Sequence, residues 1–111
     1  MKTELIDGIF YIQSDGYFNQ YLGQKVLKRC MEEMSNGQAH FLLDMQNSKM
    51  VNSIGISMLL EVIDNLRDID GSLSFCNLAP AVKKSFQIMG IGKYAKVFDS
   101  KEQAMQDLSA N

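Results

Sequence analysis

Apolar and polar positions alternate along this chain with two periods, close to two and close to 3.6 residues, and the switches between them mark out the elements. Thr3-Glu4-Leu5-Ile6 and Ile9-Phe10-Tyr11-Ile12-Gln13 read as two strands around Asp7-Gly8, a dipeptide that favours a tight hairpin turn. Ser14-Asp15-Gly16 then breaks the second strand. From Tyr21 to Met34 the period lengthens. Leu22, Val26, Leu27, Cys30 and Met34 share one helical stripe, while Lys25, Lys28, Arg29, Glu32 and Glu33 fall mostly outside it. Ser35-Asn36-Gly37 ends this helix, with Gly37 suited to a left-handed cap.

Phe41-Leu42-Leu43-Asp44-Met45 is a short apolar run, which predicts a strand covered on both faces. A polar turn through Asn52-Ser53 leads from it into a helix carrying Ile56, Leu59, Leu60, Ile63 and Leu66 on one stripe. Asp70-Gly71 breaks the chain again, and Ser72-Leu73-Ser74-Phe75-Cys76 alternates as a strand. Pro80 suits the first turn of a helix with Val82, Phe86 and Met89 on one face, closed by Gly90 and Gly92. Tyr94-Ala95-Lys96-Val97-Phe98 predicts a last strand, and Ser100-Lys101-Glu102-Gln103 fits a capping box for a terminal helix. Helices are thus expected near 21–34, 55–68, 80–89 and 100–108.

A hairpin followed by strands alternating with helices predicts a single α/β domain: a small, mainly parallel or mixed sheet with about four flanking helices. Right-handed crossovers bring the strand-to-helix turns to one edge of such a sheet, where α/β folds hold their ligands and partners. Ser53 lies on that edge, where a helix begins. A serine there has two roles open to it. It can cap the helix by accepting a backbone N–H, or it can carry a phosphate whose charge the helix start tolerates.

Composition narrows the alternatives. With 111 residues, 46% apolar and 22% charged, the chain has the make-up of an ordinary globular domain with one core. A net charge of −2 and the absence of a Lys/Arg cluster argue against nucleic-acid binding. No apolar run reaches the ~18 residues of a membrane span, and the N-terminal residues lack the apolar core of a signal peptide, so a cytoplasmic protein is expected. Cys30 and Cys76 form no metal-binding or redox motif and are expected as buried, reduced thiols. His40 is the only histidine and has no nucleophile or carboxylate at a recognisable spacing; the eight methionines are expected as core filling. No phosphate-cradling glycine motif is present. The residues therefore point to no catalytic group, metal ligand or cofactor.

Leu43-Asp44-Met45 followed by Val51-Asn52-Ser53-Ile54-Gly55-Ile56 resembles the signature of the STAS domain, the fold of bacterial anti-sigma factor antagonists and of sulfate-transporter tails. That signature is an apolar strand ending in Asp and then roughly Asp-Ser-Ser-Gly-Leu opening a helix. The likeness continues through Gly71–Phe86, a strand, a short polar link and a proline-started helix, and into Met89-Gly90-Ile91. Gly16-Tyr17-Phe18-Asn19 stands where the family has a Gly-x-Leu-Asp turn. The resemblance spans essentially the whole chain.

It implies a regulatory protein that binds an anti-sigma factor, itself a serine kinase, in a partner-switching pathway controlling transcription. Ser53 would be the phosphoacceptor, with Asn52, Ser53, Ile54, Gly55 and Ile56 forming the partner-binding turn, and a phosphatase would act on phospho-Ser53. Two positions depart from the pattern: Asn52 replaces the aspartate and Ile54 the second hydroxyl residue. The alternative in the same fold is a non-switching STAS scaffold, or a subunit of a signalling or lipid-transport assembly.

Overall fold

A computed structural model describes residues 1–109. β1 (Lys2–Ile6) and β2 (Ile9–Asp15) form an antiparallel hairpin. Asp7 and Gly8 carry it with φ of 49° and 81°, the paired positive values of a type I′ turn. β3 (His40–Asn47), β4 (Ser72–Cys76) and β5 (Val97–Phe98) then add in chain order, each parallel to its predecessor, giving a five-stranded mixed sheet β1-β2-β3-β4-β5.

Between them run α1 (Gln20–Ser35), α2 (Ser53–Arg67) and α3 (Pro80–Met89), and α4 (Lys101–Ser109) follows β5. Because the parallel strands are added in one direction, right-handed crossovers place α1, α2 and α3 on one face of the sheet. The main core lies there: Phe10, Ile12, Phe41, Leu43, Met45, Leu73 and Phe75 of the sheet meet Val26, Leu59, Ile63, Val82 and Phe86 of the helices. α4 covers the other face with a smaller core of Ile9, Tyr11, Leu42, Cys76 and Ala104. β3 is sandwiched between the two cores, and all five residues of Phe41–Met45 are buried, as the apolar run predicts.

The helix ends follow their local chemistry. Gly37 and Gly90 adopt φ of 94° and 72° just past α1 and α3. Ser100 Oγ accepts the Gln103 N–H at 3.1 Å, the main arm of the capping box. Three expectations need revision. The eight methionines do not all fill the core: Met45 is fully buried, but Met1, Met31 and Met50 are between 39% and 64% exposed. The last strand shrinks to Val97–Phe98, paired only with Phe75 and Cys76, and a 3-10 turn occupies Ile91–Lys93. On α2 the buried arc takes in Val62, fully buried, while Leu60 is only partly covered. α2 packs against both α1 and α3, so its buried face is wider than a single stripe.

Cys30 and Cys76 are both free and buried, and burial pushes each thiol up to about 12. Neither is a thiolate at neutral pH. His40 opens β3 at an exposed position, with Nδ1 2.9 Å from Ser72 Oγ.

Candidate functional site: the paired helix starts at the Ser53 turn

The loops leaving β2 and β3 are zipped together before either helix begins. The Gly16 N–H donates to Asn47 O at 2.9 Å, Phe18 N–H to Met50 O at 2.8 Å and Asn52 N–H to Phe18 O at 3.1 Å, and Phe18 and Val51 form a parallel bridge. Beneath them the fully buried hydroxyls of Ser14 and Ser48 hydrogen-bond at 2.8 Å. This fixes the starts of α1 and α2 side by side.

Asn52 caps α2: its Oδ1 accepts the Gly55 N–H at 2.8 Å, and its own carbonyl accepts the Ile56 N–H. Ser53 is the first helical residue rather than the cap. Its side chain is exposed, and its hydroxyl has no hydrogen bond among the described residues. No acidic side chain occupies the first turn of α2. The positive end of the helix dipole is therefore uncompensated at Ser53.

The other expected site residues separate into two groups. Ile54 is 48% exposed and points outward, whereas Gly55 and Ile56 are buried. Gly55 is required by close approach: a Cβ there would lie 2.4 Å from the Phe18 carbonyl oxygen. These two inward residues seat the turn on the loop below it, and Asn52, Ser53 and Ile54 form its outer surface.

Sequence reasoning missed the apolar surround. Tyr17, Tyr21, Met50 and Ile88 are between 47% and 76% exposed and belong to the segments that frame Ser53. A shallow groove of about 390 Å³ runs between Tyr21, Gln24 and Ile54, and another of about 190 Å³ joins Ser53 to Ser85 and Ile88 across α3. The available signal was placement: Tyr21 and Ile88 are large apolar residues outside their helices' buried stripes.

Asp44, the acid that ends the apolar strand run, does not reach this surface. It is buried on the α4 side, where it accepts the Tyr11 hydroxyl at 2.6 Å, the Gln46 N–H at 3.0 Å and Asn77 Nδ2 at 3.2 Å. It ties β2, β3 and the β4–α3 link together. Burial, then the bond to Asp44, raises the Tyr11 phenol above its ordinary range. A larger cleft, about 680 Å³, lies at the opposite edge of the sheet around His40, Ser72 and Lys93. Among the described residues no cluster of His, Cys, Asp or Glu is placed to hold a metal ion, and no helix is long and apolar enough to cross a membrane.

The hairpin-led mixed sheet with its flanking helices is the architecture of a STAS domain. The family's profile matches residues 1–104, and the chain belongs to the STAS domain family. Among sequence relatives, BtrV of Bordetella bronchiseptica, provisionally named an anti-sigma factor antagonist, is 27% identical over 104 residues, 94% of this chain and 90% of that protein. Among solved structures, a provisionally named anti-sigma factor antagonist from Thermotoga maritima superposes with a TM-score of 0.88 at 12% identity, covering 96% of this chain and 92% of the other. SpoIIAA, a Bacillus cell fate determinant solved in its phosphorylated form, gives a TM-score of 0.75 at 16% identity over 96% and 97% of the two chains.

Proposed function

We propose that this protein is an anti-sigma factor antagonist that uses the Ser53 turn to bind an anti-sigma factor serine kinase, and that phosphorylation of Ser53 releases the partner. The observation that carries the reading is the division of labour at the start of α2. Asn52 supplies the cap, so the Ser53 hydroxyl is free of any structural duty and exposed at a turn whose flanking grooves carry Tyr21 and Ile54 on one side and Ile88 on the other. A phosphate at that point adds about −1.5 to −2 charges where the first helical N–H groups and the dipole accommodate them. In an interface built on the same apolar surround, that charge must be desolvated. The fold therefore tolerates the modification and the complex does not. A phosphatase acting on phospho-Ser53 restores binding. Asn in place of the family's aspartate removes one negative charge beside the acceptor and retains the capping oxygen.

Calorimetric titration of the cognate kinase tests this. Ser53→Ala should bind as tightly as the unmodified protein. Ser53→Asp should bind more weakly, and phosphorylated protein more weakly still. Equal affinity for all of them would reduce the serine to a surface residue and favour the non-switching STAS scaffold. Intact-mass analysis of protein from its native host adds a direct readout: one phosphate that disappears in Ser53→Ala.

A further inference from the structure

β1 forms the hairpin edge of the sheet, and no described residue pairs with its outer side. Lys2, Thr3, Glu4 and Leu5 are all exposed, Leu5 by 54%. The two-residue type I′ turn makes Ile6 and Ile9 the hydrogen-bonded pair next to it. Alternation then makes Glu4–Tyr11 and Lys2–Gln13 hydrogen-bonded pairs, while Thr3–Ile12 and Leu5–Phe10 are not. Thr3 and Leu5 therefore direct their backbone N–H and C=O groups outward. Charged residues on a short edge strand normally discourage pairing. Here the two charges are of opposite sign and two residues apart, so one antiparallel register about a two-fold axis pairs both of them.

We propose that β1 is a self-association surface that takes β1 of a second copy of this chain, antiparallel, about a two-fold axis through Thr3. In this register Thr3 faces the second copy's Thr3, and the outward backbone groups of both exchange hydrogen bonds. Lys2 faces the second copy's Glu4 and Glu4 its Lys2, in the closer pairs that lack backbone hydrogen bonds. Met1, 45% exposed, meets the second copy's Leu5. Registers centred on Lys2 or Glu4 set like charges against each other, and one centred on Leu5 leaves both charges unpaired.

The cross-strand pairs within the hairpin place Thr3 and Leu5 on the α1 face, with Ile12 and Phe10, and Lys2 and Glu4 on the α4 face, with Gln13 and Tyr11. The apolar and ionic contacts are thus segregated to opposite faces. The axis stands perpendicular to the sheet, so pairing yields a continuous ten-stranded sheet with the two Ser53 turns at opposite ends. Both turns remain open, whatever docks on them.

A five-residue strand buries little surface, so the dimer is weak and reversible. Sedimentation equilibrium of the full chain, up to about millimolar concentration, tests it. Wild-type protein should show a concentration-dependent monomer–dimer equilibrium. Lys2→Glu or Glu4→Lys should each raise Kd about tenfold or more, because symmetry turns two attractive contacts repulsive at once. The double variant Lys2→Glu/Glu4→Lys should return Kd close to wild type, since opposite charges face each other again. Thr3→Pro, which deletes an N–H the hairpin does not use, should abolish the dimer with an unchanged urea midpoint. A monomer at every concentration overturns the proposal. So does a dimer whose Kd ignores the single reversals, or a double variant no tighter than either one.

Discussion

The first turns of α1 and α2 lie side by side and are built alike. Each begins at an asparagine whose side-chain oxygen accepts an N–H three residues on, Asn19 from Leu22 at 3.1 Å and Asn52 from Gly55 at 2.8 Å. Each carries a glycine at the contact between the helices, Gly23 and Gly55. They differ in the residues next to the cap and in how deeply the helix is held. α1 continues with Gln20 and Tyr21 and packs beside α2, whereas α2 continues with Ser53 and Ile54 and packs against both α1 and α3. The same capped start thus serves as a flank in α1 and as a platform in α2. What makes the second a candidate switch is one exposed hydroxyl on a turn whose other half, Gly55 and Ile56, is buried.

The largest effect should come from the depth of burial. Leu59→Ala in α2 removes a fully buried side chain and should cost about 3–5 kcal/mol in urea unfolding. Leu27→Ala in α1, at a partly buried position, should cost less than about 2 kcal/mol. Equal losses would erase the distinction between the helices.

The two glycines separate next. Gly55→Ala drives a methyl against the Phe18 carbonyl, which the Asn52 N–H already holds in place, and should cost about 2–4 kcal/mol. A methyl at Gly23 would lie 2.9 Å from Met58 Cγ, 3.0 Å from Met58 Cβ and 3.3 Å from Gly55 Cα; rotation of the Met58 side chain relieves only the first, and the gain in helix propensity offsets part of the rest, so Gly23→Ala should cost about 1–2 kcal/mol. A thermal scan of both variants checks the order, and a larger loss at Gly23 would reverse it.

The caps should prove equivalent. Asn52→Ala and Asn19→Ala should each lose about 1 kcal/mol of stability, recovered largely by Asp or Ser at the same position. A loss at Asn52 much beyond that at Asn19 would mean that the Asn52 side chain supports more than the helix.

The smallest expected change is at Ser53. Ser53→Ala and Ser53→Asp should both lie within about 0.5 kcal/mol of wild type, because the cap is elsewhere and a carboxylate suits a first helical turn. A destabilisation above about 1 kcal/mol in Ser53→Ala, by urea unfolding, would give the hydroxyl a structural role and remove the basis for reading it as free.

Local chemistry was enough to place most of the elements. Asp7-Gly8 specifies its own turn, Ser100 and Gln103 their own cap, Gly37 and Gly90 their own helix ends, and the Phe41–Met45 run its burial, because each depends on residues a few positions apart. The motif around Ser53 was legible for the same reason. Tertiary structure decided what depends on distant partners. It shortened the last strand to the two residues that β4 can pair, and it buried Val62 because a third helix covers that side of α2. It seated Gly55 against the Phe18 carbonyl and brought Tyr21 and Ile88 from separate helices to the grooves beside the Ser53 turn. Hydrophobic spacing records that a residue is apolar and which face of its own element it occupies; whether another element covers that face is settled only when the chain folds back on itself.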